Sequence, residues 1–265
     1  MNLVAVFIVC GTITALAPWR ALQFVSGTII VETLIDFGLV KRLAPPKARY
    51  FFLHLAFNTW LSVVVWNDAM DALRFPAKGM EGDAESPGFC DSAVITTAGI
   101  TGFHVYHTLF FTGISAEDWI HHIVSCVIVP LIGINAPYGH VVAVSNLGMC
   151  GIPGAADYAM LAAVKCGVLN SITEKRLNSL LNLLLRWPLQ LLASYIFCVG
   201  WANGTLKSTS ALGALPWVRG TMAIGVILHT ANAAYYCQKV IGNYHVKAEK
   251  EEATNAATAV TEKKK

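Results

Sequence analysis

Apolar residues run along this chain in long blocks, with polar side chains gathered between them, and no amphipathic alternation carries through the blocks. Residues 2–19, 50–67, 93–116, 119–156, 187–206 and 220–238 contain no Asp, Glu, Lys or Arg, and the fourth of these is 38 residues long. Each is near or above the roughly 18 apolar residues that let a helix cross a bilayer. Divided at charges, Pro and Gly, the pattern predicts eight helices, near residues 3–18, 21–40, 50–66, 93–113, 119–135, 140–164, 177–200 and 216–237. The expected fold is all-α, a polytopic transmembrane bundle of seven or eight helices. Of these, 21–40 is the weakest span, because Glu32 and Asp36 each cost a few kcal/mol at mid-membrane. Its alternative is an amphipathic helix on the surface. The first run reads as a retained anchor rather than a cleaved leader, since it lacks a basic start and Pro18 follows Ala15-Leu16-Ala17.

Composition agrees. Of 265 residues, 55% are hydrophobic and 13% charged, against about a quarter charged in soluble domains. A soluble doubly wound fold, a coiled coil, a disulfide scaffold and a disordered chain are excluded. The net charge of +3 implies no nucleic-acid partner. Its distribution is more informative, because 13 of the 19 basic residues fall in 41–49, 165–176 and 239–265, which strict alternation of eight helices places on one side. Basic loops face the cytosol. The loop 67–92 carries Asp68, Asp71, Glu81, Asp83, Glu85 and Asp91 and is expected to be translocated and flexible. The sequon Asn203-Gly204-Thr205 falls on that same side, close to the membrane.

Three regions follow: N-terminal transmembrane or interfacial helices over 1–44, a transmembrane domain over 45–240, and a Lys/Glu-rich cytosolic tail over 241–265, expected to be disordered or loosely helical. The seven cysteines show no CxxC spacing and read as small core residues, so neither bridges nor a metal site is expected.

Ionisable side chains inside spans mark function by default. His104 and His107 share one face of a helix, His121 and His122 follow Glu117 and Asp118, and Asp157, Arg186 and His229 lie on later helices. His107, Asp157, Arg186 and His229 fall at similar depths, roughly 9 to 14 Å from the cytosolic side at about 1.5 Å per residue. They are expected to converge on one cavity open to the cytosol. For His54 and His229 the weightier reading is structural. Arg186 pairs with Asp157 or with a carbonyl freed beside Pro188, and Gly148, Gly151, Pro153 and Gly154 are expected to break or kink their helix.

The run Asp118-Trp119-Ile120-His121-His122-Ile123-Val124-Ser125 resembles the histidine-pair motif of the TLC domain, a polytopic lipid-handling family that includes the ceramide synthases. Gly151-Ile152-Pro153-Gly154-Ala155-Ala156-Asp157-Tyr158 is similar to the acidic helix that follows in that family. The resemblance covers roughly 45–240 and implies a six-helix core with a cytosolic-side lipid cavity in an endoplasmic-reticulum or other endomembrane protein. It implies His121, His122 and Asp157 as catalytic residues, beside His104, His107 and Arg186 in substrate binding. One departure bears on activity: ceramide synthases carry a His-Asp pair and a further Asp where this chain has Asp157 alone among Gly and Pro.

Two functions follow. One is binding, sensing or transport of a long-chain lipid without catalysis. The other is N-acyl transfer from acyl-CoA to a sphingoid base, with a neutral imidazole taking the amine proton and no cofactor beyond acyl-CoA as co-substrate. Expected partners are membrane lipids and a long-chain lipid or acyl-CoA, and homo-oligomerisation is left open. His104-Val105-Tyr106-His107 with His121-His122 also resembles part of the histidine boxes of di-iron hydroxylases, which need about eight ligands. His54, His140, His229 and His245 are too scattered to supply the rest. No inverted repeat points to a transporter.

Overall fold

The computed structural model describes residues 19–111, 116–124, 128–205 and 215–262, with the side chains of 116–118, 121 and 256–262 set aside. The expected first helix, 3–18, lies outside the described residues.

Among the described residues the fold is all-α apart from one short hairpin. Its helices are α1 (Trp19–Leu43), α2 (Arg49–Arg74), α3 (Asp91–Phe110), α4 (Ala116–Ile123), α5 (Val129–Asn135), α6 (Val141–Lys165), α7 (Ser171–Ala202) and α8 (Pro216–Glu262). Three of them, α1, α6 and α7, are long and apolar enough to cross a membrane. The protein is a membrane protein by this measure. Large apolar side chains such as Val63, Leu34 and Ile227 lie exposed on the outside of the bundle, as a lipid-facing surface requires and a water-facing one avoids.

Pro45 and Pro46 end α1 and set the start of α2, because proline lacks the amide that would carry a helix through. α1 packs along α3, and Gly102 makes that approach close. A Cβ there would lie 2.5 Å from the Val25 carbonyl oxygen. α2 packs along the full length of α6. The two acids that weaken α1 as a span face inward: Asp36 is fully buried and Glu32 is 3% exposed. Arg49 donates from Nε to Asp36 at 2.6 Å and pairs with its other oxygen, which also accepts from the Tyr106 hydroxyl. The Arg49 cation offsets part of the cost of burying Asp36, whereas Glu32 Oε2 is buried with no hydrogen-bond partner among the described residues.

Prolines shape the long helices without breaking them. In α6 a π-turn spans Leu147–Gly151 just ahead of Pro153, and in α7 another spans Asn182–Arg186 just ahead of Pro188. Each widened turn makes room for a ring that an α-turn would clash with. The break or kink expected near Gly148 to Gly154 is a π-turn inside a helix that continues, with Gly151 departing locally from helical geometry at ψ −114°.

The connection 75–90 is ordered, against the expectation of flexibility. β1 (Gly82–Asp83) pairs with β2 (Ser86–Pro87), Met80 is buried against Gly200, and the amides of Gly139 and His140 donate to the carbonyls of Gly88 and Gly79 at 2.8 Å. Gly139 holds φ +55°, and a Cβ there would meet the Met80 backbone at 2.7 Å. At the opposite end the basic segments meet. Lys165 Nζ lies 5.7 Å from the Phe51 ring centre, and Lys247 donates to Ser171 at 2.6 Å. The tail, expected to be disordered or loosely helical, continues α8 as helix to Glu262.

Candidate functional site

A cavity of about 390 Å³ opens between α2, α3, α4, α6, α7 and α8, within the range of small-molecule sites. One wall is aromatic and imidazole. Tyr50, His54 and Asn58 follow at four-residue spacing on one face of α2. The His54 ring stacks on Tyr158 at 4.0 Å and on His107 at 4.3 Å. Phe103 closes the stack edge-on, 4.1 Å from His107. His104 sits 6.2 Å from His107 and 5.1 Å from His122, bringing α4 to the same place.

Hydrogen bonds set the imidazoles' roles. His54 Nδ1 lies 2.9 Å from the Tyr50 carbonyl and His104 Nδ1 2.7 Å from that of Ile100. A carbonyl only accepts, so Nδ1 carries the proton and Nε2 is the basic nitrogen of each neutral ring. His107 is 1% exposed, and neither of its ring nitrogens has a hydrogen-bond partner among the described residues.

The second wall is formed by Arg186, Gln190 and Ser194, part of a polar stripe on α7. Glu174, Asn178, Asn182, Arg186, Gln190 and Ser194 recur every fourth residue. On an unbroken α-helix that spacing drifts by about 40° per step; the wider π-turn at Asn182–Arg186 takes some of the drift back and keeps the stripe inward. Asn182 donates to Asn178 Oδ1 at 2.7 Å, and Asn178 donates to Asp157 at 2.8 Å. Arg186 donates to Asn182 Oδ1 at 2.8 Å and lies 3.6 Å from Asp157. Its Nε is buried without a partner among the described residues. Deeper in, Ser145 donates to Gln190 at 3.0 Å, which leaves His229, 3.2 Å away, as donor to the Ser145 oxygen.

Of the residues expected to form a site, the structure gathers His104, His122, Asp157 and Arg186 around the cavity, with His107 directly behind. The His121 side chain lies outside the described residues. His229 keeps a structural bond but lines the same space. His54, weighed as structural, stands at the centre of the stack, and Tyr50, Tyr158, Asn178 and Asn182 were not singled out. Their signal was present as four-residue spacing on α2 and α7.

The arrangement combines several imidazoles, a guanidinium whose Nε has no hydrogen-bond partner among the described residues, and apolar walls from Val141, Val142 and Val226. It suits a molecule with a polar or anionic head and a long apolar chain. No protein-family model, curated protein or solved structure matches the chain.

Proposed function

We propose that this protein is a multi-pass membrane protein of TLC type that binds, senses or transports a long-chain lipid, its head group held by Arg186 and the imidazoles of the cavity. The observation that carries the reading is the cavity between an imidazole wall and the Asp157–Arg186 pair, in a bundle that exposes large apolar side chains on its outside. The other long helices, α2, α3 and α8, span alongside them. An endoplasmic-reticulum or other endomembrane location rests on the family resemblance. The test is mass spectrometry of lipid extracted from protein purified in mild detergent. One long-chain species should be retained by the unaltered chain and lost from Arg186→Leu and Val226→Trp; equal lipid in all three would sink the reading.

A second reading has one observation in its favour, the convergence of His54, His104, His107 and His122 beside Asp157. In it His122 or His121 takes a proton from a sphingoid-base amine as the amine attacks an acyl-CoA thioester, giving the amide and free CoA. Asp157 orients the imidazole or balances its charge. Purified protein given both substrates should form amide, and alanine at both histidines should abolish it. Absence of product from the unaltered protein overturns this reading and leaves the first standing.

A further inference from the structure

At the end of the bundle away from the basic loops, four side chains from four separate elements meet. They are Asp68 in the last turns of α2, Asp83 in β1, Cys90 at the N-cap of α3 and His140 at the N-cap of α6. One donor atom from each lies within 4.8 Å of every other, with Cys90 buried and the other three half-buried.

Zinc takes nitrogen, thiolate and carboxylate ligands at about 2.0 to 2.3 Å in a tetrahedron, whose edges are then about 3.3 to 3.7 Å. Cys90 Sγ already lies 3.5 Å from Asp68 Oδ2, and His140 Nε2 3.2 Å from Asp83 Oδ1. The remaining pairs of donor atoms lie within 4.8 Å and would draw in by up to about 1 Å to reach that edge length. The donor set also speaks for the metal: one imidazole, one thiolate and two carboxylates suit zinc, whereas calcium or magnesium would call for oxygen alone.

Outer hydrogen bonds hold these ligands in place. Ser92 donates to Asp68 Oδ2 at 2.5 Å, and the Asp91 amide donates to Asp83 Oδ2 at 2.7 Å, leaving Asp83 Oδ1 turned to His140. Hydrogen bonds of this kind orient metal ligands.

We infer that Asp68, Asp83, Cys90 and His140 form a structural zinc site that fastens the 75–90 connection across the starts of α3 and α6. With four protein ligands no position is left for substrate, so the role is structural rather than catalytic. The inference is independent of the lipid reading.

The full-length protein in detergent, stripped with chelator and given zinc chloride, should bind one zinc per chain. Cobalt(II) in its place should give a thiolate-to-metal charge-transfer band. Cys90→Ser should remove that band, and His140→Ala should weaken zinc binding more than Ser92→Ala, which should lose about tenfold. If the ligand variants fail to fold, the unaltered protein decides alone: no thiolate–cobalt band overturns the site. Zinc binding undiminished in well-folded Cys90→Ser and His140→Ala overturns it equally.

Discussion

The imidazole of His54 lies face to face with that of His107, ring centres 4.3 Å apart and planes 19° from parallel. Two rings from different helices are thus held by stacking, and only His54 among them is anchored by a hydrogen bond, to its own helix. His107→Phe keeps a flat aromatic ring and removes the nitrogens. Because phenyl is larger than imidazole, it should cost about 1 to 3 kcal/mol through overpacking, while lowering the lipid retained on purification. His107→Ala should cost about 2 to 4 kcal/mol through the cavity it opens. Thermal unfolding in detergent and lipid mass spectrometry separate the two effects.

Asp36 is fully buried and pairs with Arg49. Arg49→Met leaves that carboxylate without its cation and should cost about 3 to 5 kcal/mol. Tyr106→Phe removes one donor and should cost about 1 to 3. The double replacement Asp36→Leu with Arg49→Met should recover much of the loss, and a double-mutant cycle on unfolding midpoints measures this.

Glycines rank by what surrounds them. A Cβ on Gly148 would stand 2.6 Å from Leu189 Cβ, which cannot move without its backbone, whereas nothing lies within 4 Å of one on Gly27. Gly148→Ala should therefore destabilise by about 1 to 3 kcal/mol. Gly27→Ala should stabilise α1 by about 0.5 to 1 kcal/mol through helix propensity. Unfolding midpoints of opposite sign check the pair.

Thiol labelling tests sidedness. Cys166 is exposed beside the basic segment, and an impermeant maleimide should reach it from the cytosolic side of sealed membranes. Cys90 should stay unlabelled from either side. In the metal-free protein burial first, then the carboxylates of Asp68 and Asp83, push its thiol up to about 12. Since the thiolate is the nucleophile, its alkylation should stay slow through neutral pH and rise only as pH climbs toward that value.

The helices α1, α2, α3, α6, α7 and α8 were legible because apolar runs without charge have few alternatives, while the expected span 119–135 is described only as the short α4 and α5 and the expected 3–18 lies outside the described residues. His104, His122, Asp157 and Arg186 were legible as ionisable groups in apolar runs. His54 was not, because a lone histidine on an apolar face carries no mark of what a neighbouring helix brings to it. The stacking partners Tyr158 and His107 lie 104 and 53 residues away in the chain. The order of 75–90 was hidden for a similar reason. Its acids suggest solvent, yet Met80 and the Gly139–Gly88 bond fix it against α6 and α7, and no local pattern announces either.

The π-turn at Asn182–Arg186 divides α7 into two lengths whose rotational phase is set by one extra residue. Removing a single residue there, such as the exposed Leu184, would let the wide turn close to an ordinary α-turn while both lengths keep their phase. The same deletion in the regular turn at Trp187–Leu189 would instead turn everything beyond it by about 100°, so that Asn178 would still face Asp157 while Gln190 and Ser194 would swing away from Ser145 and Thr230. The stripe is therefore bound to a fixed residue count within each of its two halves, and the π-turn is where a change of length is absorbed.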